Sequence, residues 1–177
     1  MFRRGEIMGT VYLICGKICS GKSWYARQLR KRLNAVIFST DEATWDLIDN
    51  EQGEFYNAFA ARVNRYLRKK AAETAAAGAD VILDWGFWTA EDRKAVSEFL
   101  AERGVPYEWH YIDIDDESWR RNISERNRRI REGNGGSDFY VDDGLLNKLN
   151  SLFEKPAAAE MNAWITVRRS ADGETEG

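Results

Sequence analysis

The sequence predicts an α/β fold in three layers, with helices on both faces of a mostly parallel, five-stranded sheet. Short apolar runs alternate along the chain with longer amphipathic stretches, an order typical of parallel sheets. The length of 177 residues is that of one domain, and neither an internal repeat nor a Pro-rich linker divides the chain. A hydrophobic share of 44% and a charged share of 31% indicate a globular protein and exclude a disordered one.

Five apolar runs are predicted to be the strands. The first three are continuous, as expected where both faces of a parallel sheet are covered, and the fourth alternates apolar and polar residues. The predicted strands are Thr10–Cys15, Ala35–Phe38, Val81–Leu83, Tyr107–Ile114 and Ala163–Val167.

The stretches between the strands are predicted to be helices. Apolar residues recur three or four apart in each, and Ala71–Ala77 adds a run of strong helix formers that Gly78 ends. The predicted helices are the stretch with Tyr25, Leu29 and Leu33, a helical insert at about 44–77, Glu91–Arg103, Glu117–Arg131 and the stretch from Leu145 to Phe153.

Charge and cysteine content exclude several classes of protein. The net charge of −3 argues against a general, charge-driven nucleic-acid binder but leaves room for a local basic patch. Two Cys and one His build neither a disulfide framework nor a Cys/His zinc site, so reduced thiols and a cytoplasmic location are expected. The early apolar run Val11–Cys15 is far shorter than the roughly 20 residues of a membrane span, so no membrane association is expected.

A phosphate-binding loop follows the first predicted strand. Gly16–Ser23 (GKICSGKS) matches G-x-x-x-x-G-K-[ST], the Walker A motif, between a buried strand and an amphipathic helix. The two glycines let backbone N–H groups close on phosphate oxygens, and the helix that follows points its positive end at them. The Lys22 ammonium is expected to bind the β- and γ-phosphates, and the Ser23 hydroxyl is expected to bind magnesium. The predicted nucleotide-binding residues are Gly16, Lys17, Ile18, Cys19, Ser20, Gly21, Lys22, Ser23 and the adjoining Trp24, with Ser23 also a metal ligand.

Two aspartates follow predicted strands at the edge of the sheet where the loop lies. Asp84 is expected to hold magnesium, directly or through water; the alternative is a turn or helix cap. Asp41 is expected to orient an acceptor hydroxyl and take its proton; the alternative is an N-cap of the next helix. Three aromatic residues follow Asp84: Trp85, Phe87 and Trp88. They suit a place in the core or in a lid as well as they suit contact with the substrate.

An arginine-rich segment at about 120–138 is predicted to be a lid. The segment holds six arginines and no lysine, and the planar guanidinium group of arginine suits phosphate. The GNGGS segment Gly133–Ser137 that follows resembles a hinge. The alternative is an exposed helix with salt bridges. The six arginines are Arg120, Arg121, Arg126, Arg128, Arg129 and Arg131.

Taken together, these motifs resemble the small P-loop kinases of the AAA-ATPase-like group, relatives of polynucleotide kinase, chloramphenicol phosphotransferase and zeta toxins. The shared motifs are the phosphate loop, FSTD, LDWGFW with Arg93, an RN lid and FEKP with Glu160, from about Thr10 to Val167. The resemblance implies a P-loop NTPase fold in one domain over 1–177, with ATP and Mg²⁺ as cofactors. It also implies that Lys22 and Asp41 are catalytic, that Arg121 and Arg126 are catalytic lid arginines, and that Pro156 lies in the adenine pocket.

These observations favour an ATP- and Mg-dependent kinase acting on a hydroxyl of a small molecule. Thr40 precedes Asp41 where polynucleotide kinases typically carry an arginine, which makes a nucleic-acid end the less favoured acceptor. The insert residues Trp45, Phe55, Tyr56 and Phe59 then form either an acceptor pocket or the core of the insert. The alternatives are an RNA- or DNA-end kinase and a non-catalytic ATP-binding regulator or toxin-like protein. A basic track to Asp41 would favour the end kinase, and Arg62, Arg65, Arg68, Lys69 and Lys70 are candidates for it.

Overall fold

The computed structural model describes residues 7–47, 55–135, 138, 140–169 and 175–176. Its helices and strands follow the predicted alternation closely, because each apolar run is bounded by polar or glycine residues that end it. In chain order they are β1 (Val11–Cys15), α1 (Lys22–Leu33), β2 (Val36–Ser39), α2 (Thr40–Leu47), α3 (Phe55–Ala76), β3 (Val81–Asp84), α4 (Ala90–Ala101), β4 (Tyr107–Ile114), α5 (Asp116–Arg131), α6 (Asp143–Leu152), a short 3-10 helix (Ala158–Glu160), β5 (Ala163–Arg169) and β6 (Thr175–Glu176).

The sheet has the strand order β2-β3-β1-β4-β5-β6. The first five strands in this order are parallel, which confirms the predicted sheet. A short sixth strand, β6, pairs antiparallel with the end of β5 and was not predicted, because a strand of two polar residues has no apolar pattern. Since the five long strands are parallel, the loops after β1, β2 and β3 all emerge at one edge of the sheet.

The central strand β1 divides the core in two, because side chains alternate across a strand. Leu13 and Cys15 pack on one face with α3 and α4, while Ile14 packs on the other face with α1. A third cluster joins the end of β4 to α5 through Ile114 and Trp119. Helices therefore cover both faces, as predicted. In the part of the chain that the structure describes, no helix is both long and apolar enough to cross a membrane.

The described residues of the helical insert form two helices, and the first of these begins earlier than predicted. Helix α2 starts at Thr40, directly after β2, and α3 follows at Phe55. Trp45 is exposed and Phe59 packs against the core. The side chains of Phe55 and Tyr56 lie outside what the structure describes. Of the two roles left open for these aromatics, acceptor pocket or core, the structure assigns one only to Phe59, which packs against the core.

The side chain of Asn127 in α5 binds the backbone of Val141, in the segment between α5 and α6. Its Nδ2 donates to the Val141 carbonyl at 2.7 Å, and its Oδ1 accepts from the Val141 N–H at 2.8 Å. Both residues are buried. The amide thus satisfies two backbone groups that would otherwise be buried without partners.

Asn127→Ala is expected to lower the free energy of unfolding by about 2 kcal/mol, because it leaves the buried N–H and C=O of Val141 unpaired. Chemical denaturation measures this difference. Asn134→Ala, at an exposed position just after the same helix, is the matched control and should be neutral. Equal stabilities of the two variants would contradict the role given to Asn127.

Candidate active site

The loop between β1 and α1 has a backbone that its two glycines make accessible. A Cβ on Gly16 would lie 2.7 Å from the Ser20 Oγ and 2.9 Å from the Ile112 carbonyl oxygen, so only glycine fits there. Gly21 has a φ of 100°, in the left-handed region, with open space around it. No side chain of the described residues caps α1, which begins at Lys22. The first N–H groups of α1 are therefore left for an anion.

The Lys22 ammonium lies inside this loop. Its Nζ donates to the carbonyls of Gly16 at 3.0 Å and Lys17 at 2.7 Å. Desolvation lowers the pKa of Lys22, while the carboxylates of Asp84 and Asp41 oppose that shift. A cation held at a phosphate-binding loop and facing two carboxylates is placed to bridge a nucleotide and its metal ion.

Asp84 lies between the phosphate loop and Asp41. In the register of the sheet, Asp84 of β3 is aligned with Ile14 of β1 on one side and with Ser39 of β2 on the other. Gly16 follows Ile14 by two residues, and Asp41 follows Ser39 by two. Strand pairing thus places both aspartates and the loop at one edge of the sheet, as the sequence predicted for acids at strand ends.

Asp41 is the second residue of α2, and its neighbours shift its pKa. Desolvation in the cleft raises the pKa of Asp41 and the Asp84 carboxylate raises it further, whereas Lys22 and Arg126 lower it. The side chain is nevertheless open to solvent. The capping alternative for Asp41 is wrong, because the Ser39 Oγ accepts the Glu42 N–H at 3.3 Å and so takes the capping position.

Helix α5 is attached to the phosphate loop by side chains that the sequence analysis did not single out. Trp119 Nε1 donates to the Ile18 carbonyl at 2.6 Å, and Asn122 Nδ2 donates to the Cys19 carbonyl at 2.9 Å. The Lys17 ammonium lies 4.7 Å from the centre of the Trp119 ring. The only signal was helical spacing: residues 119, 122 and 126 share one face of α5.

The two predicted lid arginines have different surroundings. Arg126 Nη1 lies 3.6 Å from the Cys19 Sγ, and its Nη2 lies 3.5 Å from Asp138. Arg121 instead pairs with Glu117 of its own helix at 3.7 Å. Arg129 joins Arg126 on Asp138 at 3.2 Å. The structure therefore brings Arg126 to the loop and leaves Arg121 along the helix; Gly136 and Ser137 of the predicted hinge lie outside the described residues.

The aromatic residues after β3 divide between core and site. Trp85 and Phe87 are buried and stack on each other with ring centres 5.3 Å apart. Trp88 is half-buried, and the Lys22 ammonium lies 5.5 Å from the centre of its ring. Trp88 is therefore the aromatic of this segment that faces the candidate site.

The segment with Pro156 is fixed beside the start of the loop. Buried Arg93 of α4 donates from Nη1 to the Glu154 carbonyl at 3.0 Å and from Nε to Glu160 at 3.1 Å. Met161 Sδ lies 3.8 Å from the Sγ of Cys15, the residue before the loop. Pro156 itself is buried. The segment 154–161 thus reaches the loop from the β4 side of the sheet.

The residues at this edge fit a nucleoside triphosphate with magnesium. Gly16 leaves room that a side chain would fill, α1 is uncapped, and Lys22 supplies a positive charge. Ser23 and Trp24 are exposed in the first turn of α1. Among the described residues no group of three or more His, Cys, Asp and Glu could hold a metal alone. Proteins typically bind Mg²⁺ through one or two carboxylates together with substrate phosphates, and Asp84 supplies a carboxylate at this edge.

A family model described as AAA domain matches residues 11–156 of the chain. No curated protein gives a significant match to it. The matched range begins at β1 and ends at Pro156, so it contains the phosphate loop, both aspartates and α5.

Several solved structures have a similar fold. A candidate kinase from Chloroflexus aurantiacus is 16% identical with a TM-score of 0.70, covering 92% of this chain and 86% of that chain. The APS kinase of Mycobacterium tuberculosis, in complex with AMPPNP and APS, is 21% identical with a TM-score of 0.64, covering 93% and 92%. A gluconokinase from Sinorhizobium meliloti is 13% identical with a TM-score of 0.54, covering 92% and 83%. At these identities the likeness establishes the fold alone, which is that of P-loop kinases.

Proposed function

This chain belongs to the AAA domain family, and on that premise we propose that it is an ATP- and Mg-dependent kinase that phosphorylates a hydroxyl of a small molecule. The observation that carries the proposal is the register of three strands, which puts Asp84 between the phosphate loop and Asp41. Phosphoryl transfer needs a phosphate cradle, a metal ligand and a group that orients the acceptor, in that spatial order.

The nucleotide end of the site uses the loop and the start of α1. Backbone N–H groups of Gly16–Ser23 bind the phosphates, and Lys22 turns from the loop carbonyls to the β- and γ-phosphates. Ser23 and Asp84 would hold magnesium, which when bound offsets charge on the phosphate oxygens. Trp24 and Pro156 are proposed to border the nucleotide, with Pro156 on the adenine side.

The acceptor end of the site uses Asp41. Its carboxylate accepts a hydrogen bond from the acceptor hydroxyl, orients the oxygen toward the γ-phosphate and takes the proton as the new bond forms. Arg126 already lowers the pKa of this carboxyl and lies against Cys19 of the loop, so its charge acts where negative charge spreads during transfer. Arg121 is proposed as a second lid arginine, which must first leave Glu117.

A small acceptor is supported by two features. The residue before Asp41 is Thr40, which is buried and whose Oγ1 donates to Asn64, so no cation stands there to hold the phosphate of a nucleic-acid end. Two structures of similar fold are an APS kinase and a gluconokinase, and the substrates in those names are small molecules. The site therefore supports a compact acceptor that reaches Asp41 directly.

The test is a screen of a metabolite library for phosphate incorporation from labelled ATP. We expect one chemical class of hydroxyl compound to be labelled by the wild type and not by Asp41→Asn. Labelling of a 5′-hydroxyl oligonucleotide and of no small molecule would favour the end kinase instead. Tight ATP binding with no transfer to any compound would favour the non-catalytic regulator.

A further inference from the structure

A second, separate groove lies between α3 and α4. It has a volume of about 790 Å³ and shares no lining residue with the phosphate loop, Asp41 or Asp84. Val105 lines the groove and adjoins Pro106, whose carbonyl accepts the N–H of Val11 at the start of β1. The groove therefore extends toward the end of the sheet opposite the phosphate loop. Its lining residues are Arg62, Arg65, Tyr66, Arg68, Lys69, Ala72, Glu73, Ala76, Phe99, Arg103 and Val105.

The groove is strongly cationic in a chain whose net charge is −3. Its described lining holds five cationic side chains and a single carboxylate, Glu73. That carboxylate is already engaged by Lys70 at 2.6 Å and Lys69 at 3.9 Å. Arg62, Arg65 and Arg68 have no carboxylate partner among the described residues, so the groove presents charge that nothing described within the protein neutralises.

The arginines crowd one another around Phe99. The guanidinium carbons of Arg103 and Arg68 lie 3.7 and 4.5 Å from the centre of its ring. The Nε of Arg68 is buried without a hydrogen-bond partner among the described residues. Burial lowers the pKa of Arg68, and the charges of Arg103 and Arg65 lower it further. An anionic ligand in the groove would offset the mutual repulsion of these positive charges.

The shape of the groove indicates what kind of anion it takes. Arg62, Arg65 and Lys69 recur along α3 at intervals of three and four, so they form a stripe, and the lining from Arg62 to Ala76 is about 21 Å long. Tyr66 lies within this stripe and is 59% exposed. The surface inside the groove is largely apolar, but cationic side chains border it along α3. An open groove with a cationic stripe and an exposed aromatic is typical of sites for single-stranded nucleic acid.

We propose that the α3–α4 groove binds single-stranded nucleic acid, with its phosphates on Arg62, Arg65, Lys69 and Arg103 and a base stacked on Tyr66. The strand is held as a ligand here and not as a phosphoryl acceptor, because the groove shares no residue with the candidate active site. The proposal does not depend on the kinase function and goes beyond it.

The test is fluorescence anisotropy with a 12-nucleotide single strand that carries a 5′-phosphate and a 3′-fluorescein, so that it has no 5′-hydroxyl to phosphorylate. Arg65→Gln/Lys69→Gln should weaken binding at least tenfold and reduce the slope of log affinity against log salt by about 1.4. The matched control is Arg27→Gln/Lys31→Gln, an exposed pair at the same spacing on α1, which should bind as the wild type does. Tyr66→Ala should weaken binding by about 5- to 150-fold, the range for loss of one stacked base.

Three outcomes would overturn the proposal. Equal loss of affinity in the α3 and α1 pairs would show non-specific charge attraction. Displacement of the probe by polyglutamate as readily as by the unlabelled strand would assign the groove to an acidic protein segment. Displacement of the probe by a duplex of the same sequence as readily as by the unlabelled single strand would show that no base stacks on Tyr66. Lys22→Ala should keep full affinity for the probe, because Lys22 does not line the groove. Failure of the kinase proposal can therefore be distinguished from failure of the groove proposal.

Discussion

Lys22→Ala is expected to abolish ATP turnover while the protein stays folded. The ammonium lies within the loop, 3.0 and 2.7 Å from two of its carbonyl oxygens, and faces Asp84 and Asp41. Loss of one preorganised neutral donor costs about 10²–10³ in rate, and loss of a full charge on the transferring phosphoryl group should cost at least about 10³. Turnover measured at saturating ATP gives this ratio.

The fold should tolerate the Lys22 substitution. Because folding lowers the pKa of Lys22, the folded state disfavours the charged form, and removing the charge should not lower the thermal midpoint at neutral pH. Lys31→Ala, exposed on the same helix, is the matched control and should leave turnover and stability unchanged. Wild-type turnover in Lys22→Ala would reject the assignment of this loop to the nucleotide.

Asp41→Asn is expected to lower phosphoryl transfer by about 10²–10⁴-fold, the usual contribution of a positioned base, with nearly unchanged affinity for magnesium-ATP. The carboxylate belongs to α2 and not to the phosphate loop, and in the strand order Asp84 comes between the two. Single-turnover transfer measured beside nucleotide affinity separates the two effects. Lost nucleotide binding would instead place Asp41 among the magnesium ligands.

The pH dependence gives a second readout of Asp41. Because its pKa is raised, transfer by the wild type should fall as pH drops through a value above 3.8, the ordinary pKa of an aspartate, and Asp41→Asn should lose this limb. A raised folded-state pKa also means that ionised Asp41 reduces stability as pH rises through that pKa. The amide variant should therefore melt no lower than the wild type at neutral pH.

Asp46→Asn is the matched control for Asp41. Asp46 is an exposed acid five residues further along α2, on the solvent side of the helix. We expect Asp46→Asn to transfer the phosphoryl group at the wild-type rate. Impaired transfer in Asp46→Asn together with unimpaired transfer in Asp41→Asn would move the base to Asp46.

Much of the site could be predicted because its parts are local in sequence. The loop is eight consecutive residues whose two glycines determine its backbone and whose two lysines determine its charge. Asp84 directly follows one apolar run and Asp41 comes three residues after another, and in a parallel sheet the ends of such runs meet at one edge. The alternative that Asp41 caps the next helix was wrong by two residues, because the helix starts earlier and Ser39 takes the capping position.

Contacts between distant segments could not be predicted in this way. Trp119 and Asn122 bind loop carbonyls from 101 and 103 residues away. Buried Arg93 pairs with Glu160 across 67 residues. Hydrophobic periodicity gives the inner face of a helix, but it does not say which backbone group a polar side chain on that face will meet.

The sequence by itself determined the order of strands and helices, the phosphate loop and the two acids, because short-range sterics and apolar patterning fix each of these within a few residues. The tertiary structure alone decided the strand order that puts Asp84 between the loop and Asp41, and the rotation of α5 that turns Arg126 and not Arg121 to the loop. Each residue turns a helix by about 100°, so the packing of Trp119 and Ile123 under Ile114 and Val141 sets which arginine faces inward.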